Sequence, residues 1–222
     1  MARRLVSESG KEAATAKPRA RSLEELAAAR FRNHSVLSGL IAGFAAALVL
    51  AALIFLGDAL MGLPVGAFYE IIALAMTGVT QPSAAISLGV ALHLMSGTII
   101  GGAFGFLTAS IAPFNIDSIR KGIGVGVLAG FVSFSLLFIP ITRFQVEPAL
   151  TGILLNSGII PSSTNASDVQ SQITDFMSSV IAFSIVFHLM YGAIMGGLTA
   201  VLVERLPLSK RFISADGPQF SI

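Results

Sequence analysis

The sequence predicts an all-α integral membrane protein of four transmembrane helices, arranged as a tandem parallel repeat of a two-span unit. Three observations carry that expectation. Charged residues make up 12% of the 222 and hydrophobic residues 54%, whereas a soluble domain has about 25% charged residues; the mean hydropathy is +0.83. The charges are also segregated, because residues 35–57, 84–111, 122–141 and 176–203 contain no Lys, Arg, Asp or Glu. Each stretch is long enough to cross ~30 Å of hydrocarbon at ~1.5 Å per residue. Finally, HLMSGTIIGG at 93–102 returns as HLMYGAIMGG at 188–197.

Taken in order, residues 1–21 lack apolar periodicity and contain Gly10 and Pro18, which predicts a disordered cytoplasmic tail. Ser22 and Glu25 fit a capping box, so a short cytoplasmic or interfacial helix is expected over 22–33. Repeat unit 1 covers 35–112, with spans at about 35–56 and 84–110. Gly57-Asp58 and Gly62-Leu-Pro64 read as breaks after the first span. The apolar piece at 65–78, which holds Tyr69 and Glu70, is too short to cross and reads as interfacial or re-entrant on the outer side; Glu70 is a lone, solvated carboxylate. Thr80-Gln-Pro82-Ser83 starts the second span.

Repeat unit 2 covers 113–205, with spans at about 122–141 and 176–203. Residues Asn115 to Ser118 supply a cap for the third span, Pro140 ends it, and Thr174 or Asp175 caps the fourth. Arg143 is positioned to pair with Glu147 four residues on. PSSTNASD at 161–168 reads as a loop and carries Asn165-Ala-Ser167, an N-glycosylation pattern. Residues 206–222 form a cytoplasmic C-terminal tail.

The repeat is wider than its histidine motif. GLIAGF at 39–44 matches GVLAGF at 126–131, and AMTGVTQPS at 75–83 matches LNSGIIPSS at 155–163. Two spans return the chain to its starting side, so the copies share one orientation and a pseudo-twofold axis along the membrane normal is expected.

Basic residues set the topology. Thirteen of the 14 Lys and Arg precede the first span, lie between spans two and three, or follow span four; Arg143 alone falls on the other side. That is the positive-inside pattern, which places both termini in the cytoplasm and makes a plasma-membrane, multi-pass protein the expectation. The pI near 9.3 then reflects topology and contact with anionic lipid rather than nucleic acid. The polar stretch before the first span is too long for a signal peptide's charged region, so an uncleaved start is expected. With no cysteine in the chain, disulfides, thiolate metal sites and Cys nucleophiles are excluded.

The candidate functional residues are glycines and histidines. Gly39 and Gly43, Gly97 and Gly101, Gly126 and Gly130, and Gly192 and Gly196 are each four apart, so each pair lines one helix face. Small residues at that spacing allow helices to approach closely in lipid, where little hydrophobic force drives them together. They predict packing seams, used by the chain on itself or on other membrane subunits.

His93 and His188 are the strongly polar side chains well inside the spans, where ionisable groups default to a functional hypothesis. Three readings stand. In the structural one, each neutral imidazole bonds a neighbouring hydroxyl or backbone carbonyl. In the second, the pair ligates a haem, or copper with Met95 and Met190 as soft co-ligands, although each Met lies about 200° around the helix from its histidine. The spans supply no Asp, Glu or Cys to complete a shell for another free metal ion. In the third, the histidines belong to a proton or small-solute path. His34, beside Arg32, reads as a solvated interfacial residue. No Walker loop, HExxH or Gly-x-Ser-x-Gly motif occurs and no acid pair lies in a span, so a non-catalytic subunit of a membrane complex is the expectation. Haem or copper binding and solute transport are the alternatives.

Overall fold

A computed structural model of the chain describes residues 5–147 and 165–205. LNSGIIPSS, residues 161–164 of the expected loop and the C-terminal tail at 206–222 lie outside them, while Ala166–Asp168, also expected in that loop, already belong to a helix. Helix α1 runs Leu5–Leu60 without interruption. This corrects the division into a disordered tail, a separate short helix and a span. Residues 11–32 are rich in Ala, Glu, Lys, Arg and Leu, the best helix formers, so one helix continues into the membrane span.

Gly57 and Asp58 do not end that span either, since the helix carries on to Leu60. Asp58 instead reaches forward: its Oδ2 accepts the Gly66 N–H at 3.0 Å. The turn it braces has Gly62 and Gly66 at φ of 71° and 94°, a left-handed conformation that glycine adopts without a Cβ penalty. The short helix α2, Ala67–Thr77, follows and packs mainly on α3, Pro82–Ser110. Pro82 stands in the first turn of α3, where its missing N–H has no helical partner to lose.

After a 3₁₀ turn at Ala112–Phe114, Ser118 caps α4 as expected, its Oγ accepting the Lys121 N–H at 3.4 Å. Helix α4 spans Ile119–Val146 and continues past Pro140, the expected stop. Two π-helical segments, Phe134–Phe138 and Thr142–Val146, flank that proline. Pro140 lacks an N–H and crowds the carbonyl four residues back; the wider π turns take up an extra residue and let the helix proceed. Helix α5, Ala166–Arg205, starts before Thr174 and Asp175. The Asn165 carbonyl receives the Asp168 and Val169 N–H groups at 3.0 Å, while Thr174 Oγ1 donates within the helix to the Gln170 carbonyl.

Four of these helices are long and apolar enough to cross a membrane, over Ala28–Leu60, Pro82–Ser110, Ile119–Val146 and Ser167–Glu204. Helix α1 packs along α3 and α4 along α5, and the two hairpins meet through α1 and α5. Helices α3 and α4 meet each other at most marginally, and α2, packed on α3, also touches the Thr142–Val146 end of α4. A twofold relating the hairpins would make the α1–α5 and α4–α3 contacts equal. One is extensive and the other nearly absent, so the two hairpins do not meet as an even twofold requires.

The seam glycines are used inside each hairpin. A Cβ built on Gly39 would fall on the Gly101 carbonyl oxygen, and one on Gly43 on that of Gly97. In the second hairpin, Gly126 and Gly192 stand in the same relation to each other, as do Gly122 and Gly196. The registers differ. Gly97 faces Gly43 and the Ala47 side chain, whereas its motif counterpart Gly192 faces Gly126 and Gly130. GLIAGF and GVLAGF align Gly43 with Gly130, so the second seam is displaced by one helical turn. The residue one turn beyond Gly43 is Ala47, and the one beyond Gly130 is Phe134. A phenyl ring cannot enter the slot that Ala47 fills, so Gly130 takes that slot instead.

Bulk in a seam is therefore expected to separate the helices. Gly126→Leu should destabilise the protein by about 1–3 kcal/mol or more, the scale of core overpacking. Gly124, whose Cβ would meet nothing within 4 Å, gives the opposite sign: Gly124→Ala should be neutral or gain about 0.5–1 kcal/mol from helix propensity. Thermal unfolding in detergent micelles, followed by helical circular dichroism, compares the two variants.

Candidate functional site

Both histidines stand one turn from a seam glycine, His93 before Gly97 on α3 and His188 before Gly192 on α5. Each ring is half-buried and hydrogen-bonded to a backbone carbonyl. His93 Nε2 donates to the Ala47 carbonyl of α1 at 3.3 Å, and His188 Nδ1 donates to the Ser184 carbonyl of its own helix at 2.7 Å. The carbonyl partners fix opposite tautomers in the neutral rings. His93 is braced across its seam, and His188 along its own helix.

The aromatic walls differ as well. The Tyr69 ring of α2 meets His93 edge-on, with centroids 5.6 Å apart. Phe134 and Phe138 of α4 stack on each other at 5.5 Å and lie 5.6 and 5.1 Å from His188. Displacement of the second seam by one turn is what brings Phe134 out of the slot and beside the imidazole. The two histidines thus occupy similar positions with separate contact sets. Among the described residues, no group of three or more His, Cys, Asp or Glu is placed to hold a metal ion.

Three residues that sequence reasoning passed over belong to this polar system. Tyr191 is buried, and its Oη donates to the Gly97 carbonyl at 2.6 Å, tying α5 to α3. It is the fourth residue of HLMYGAIMGG, where the first motif has Ser96. That difference was the signal available in the sequence. Tyr69 is fully buried against Phe55, Phe68 and His93, and its Oη has no hydrogen-bond partner among the described residues. Burial first, and the nearby Asp58 carboxylate second, push its phenol above the usual range. Gly89 permits this placement, because a Cβ there would fall on the Tyr69 carbonyl oxygen.

The third is Asp58, which is buried and caps the entry to α2 through Gly66. It borders a cavity of about 20 Å³ with Met61, Phe68, Phe176, Met177 and Val180, room for roughly one water molecule. The cavity lies where the ends of both hairpins meet, away from the chain termini. The expected Arg143–Glu147 pair is present at 3.0 Å. His34 departs from the solvated expectation: its Nε2 is buried without a partner among the described residues, while the Arg32 guanidinium lies 6.0 Å from the Phe106 ring centroid. No protein family, curated protein or solved structure matches this chain.

The two tyrosines should respond oppositely to loss of the hydroxyl. Tyr191→Phe removes a satisfied interhelical bond and should cost about 1 kcal/mol. Tyr69→Phe removes an unsatisfied buried group and should be neutral or stabilising by about 1 kcal/mol. Unfolding midpoints of both variants in one detergent check the difference in sign.

Proposed function

We propose that this chain is a non-catalytic multi-pass protein of the plasma membrane, a structural or accessory subunit of an oligomeric membrane complex. Its two hairpins are copies of one two-span unit, and both termini face the cytoplasm. The observation that carries the reading is the low burial of two of the spans. Only 22% of the most apolar stretch of α3, and the same share of α4, is buried within the chain. Each of these helices therefore offers a long apolar face to lipid or to a neighbouring helix.

The glycine faces are excluded from that outer role, since they are closed against one another inside the hairpins. Contacts with neighbours fall instead to the outer sides of α3 and α4. The buried polar groups support the same reading. Both histidines and Tyr191 bond backbone carbonyls within the chain, and Thr98, Thr108 and Thr199 do so within their own helices. In hydrocarbon each unmatched polar group costs several kcal/mol, so such internal pairing is what a packing element requires.

Gentle detergent extraction followed by native mass measurement tests the proposal. The expected particle is heavier than one 23.1 kDa chain; a strictly monomeric particle from its native membrane would sink it.

A further inference from the structure

We propose that helix α2 is a clasp between the two hairpins, hinged at Gly66 and Gly78, which opens as a unit and uncovers His93. Both flanking glycines are left-handed, with φ of 94° and 73°, and a Cβ on Gly78 would meet nothing within 4 Å. A few element-terminal residues of this kind can absorb the whole change in backbone angle of a hinge. Between them, Ala67–Thr77 closes its backbone bonds within the helix, so contact with lipid does not require it to unwind.

What α2 holds is shared between the hairpins, at the ends away from the chain termini. Tyr69 rests on the first, its carbonyl against Gly89 and its ring against Phe55 and His93. Ile71 and Ala75 rest on the second, clustered with Ile141 and Val146 of α4 and Ile173 and Met177 of α5. Asp58 latches the near end. Its backbone carbonyl accepts the Leu63 N–H at 2.9 Å, and its carboxylate accepts the Gly66 N–H at 3.0 Å.

The closed position is only lightly held. Of the eleven residues of α2, Tyr69, Ile71 and Ala73 are buried. Tyr69 Oη is buried with no partner among the described residues. The cavity of about 20 Å³ lies directly against α2, between Asp58 of α1, Phe68 and Ile71 of α2, Val146 of α4 and Met177 of α5. Opening gives the phenol a water or headgroup partner and removes the cavity. Against it stand the Asp58–Gly66 bond and three buried side chains. An element with so few buried contacts opens locally, below the free energy of global unfolding. Its departure takes the Tyr69 ring off His93 and leaves the imidazole with its bond to the Ala47 carbonyl.

The chain has no cysteine, so single reporters can follow the motion in the full-length protein in membranes. N-ethylmaleimide, which reaches either side of a bilayer, is the probe, and labelling is read by mass. Ala73 is 0% exposed, so the labelling rate of Ala73→Cys measures the open fraction. Met76→Cys, on the exposed side of α2, is the reference rate. Asp58→Ala removes the latch and should speed labelling of Ala73→Cys by about tenfold. Asp58→Asn keeps an acceptor for the Gly66 N–H and should stay within about twofold of the parent. Tyr69→Phe removes what the phenol gains on opening and should slow labelling by about three- to tenfold. Ala46→Cys, buried in α1, reports loosening of the whole bundle and should stay unlabelled in every background. Equal rates in the parent and Asp58→Ala, or faster labelling with Tyr69→Phe, overturn the proposal. Parallel acceleration at Ala46→Cys also overturns it, since the event is then unfolding of the bundle and not movement of α2.

Discussion

The fold depends on backbone meeting backbone through glycine. In water, two apolar helices are pressed together because their contact removes surface from solvent. In a bilayer the lipid tails are as apolar as the side chains, so association rests on packing quality. Here that packing is glycine against carbonyl oxygen. Gly39 and Gly43 close on Gly101 and Gly97, and Gly122 and Gly126 on Gly196 and Gly192. Many weak dispersion contacts and Cα–H···O contacts accumulate along such a seam. A methyl group at most of these positions would hold the helices apart, so each seam exists only while its glycines are present.

The polar contacts between helices are positioned by those seams. His93 finds the Ala47 carbonyl because the first seam brings α1 within reach of α3 at that level. Tyr191 finds the Gly97 carbonyl because a glycine there leaves its oxygen unshielded. The second seam, shifted one turn by the size of Phe134, cannot give His188 the same neighbour. Its ring turns to the Ser184 carbonyl on its own helix and takes Phe134 and Phe138 as a wall. One difference in side-chain volume, Ala47 against Phe134, thus accounts for two distinct histidine environments.

What was legible in the sequence followed from one-dimensional spacing. Charge-free stretches marked the four spans, four-residue glycine spacing marked the seam faces, and Ser118 and the Arg143–Glu147 pair could be placed by local rules. Three-dimensional matters were hidden. The alignment of GLIAGF with GVLAGF says which residues are alike, whereas the seam register is decided by whether a side chain four residues away fits its slot. Asp58 read as a helix breaker because its partner, the Gly66 N–H, lies in a turn whose path no local rule supplies. Pro140 read as a stop because the paired π segments that accommodate it leave no mark in the hydrophobic pattern. The expected twofold failed for the same class of reason, since two hairpins of like sequence can meet more closely through one pair of helices than through the other.

That uneven meeting of the hairpins bears on what the spans can do together. A closed bundle surrounds a centre, and polar groups facing it can line a path. Helices α1 and α5 each have two spans beside them and α3 and α4 one, with α2 packed on α3 and touching the outer end of α4. His93 and His188 lie within the seams or beside them, already bonded to backbone oxygens. A solute moving along them would have to break His93 from Ala47 and pass the Tyr69 and Phe134 rings. The paired polar groups hold helices in place, and the largest area these helices leave uncovered is the apolar surface of α3 and α4.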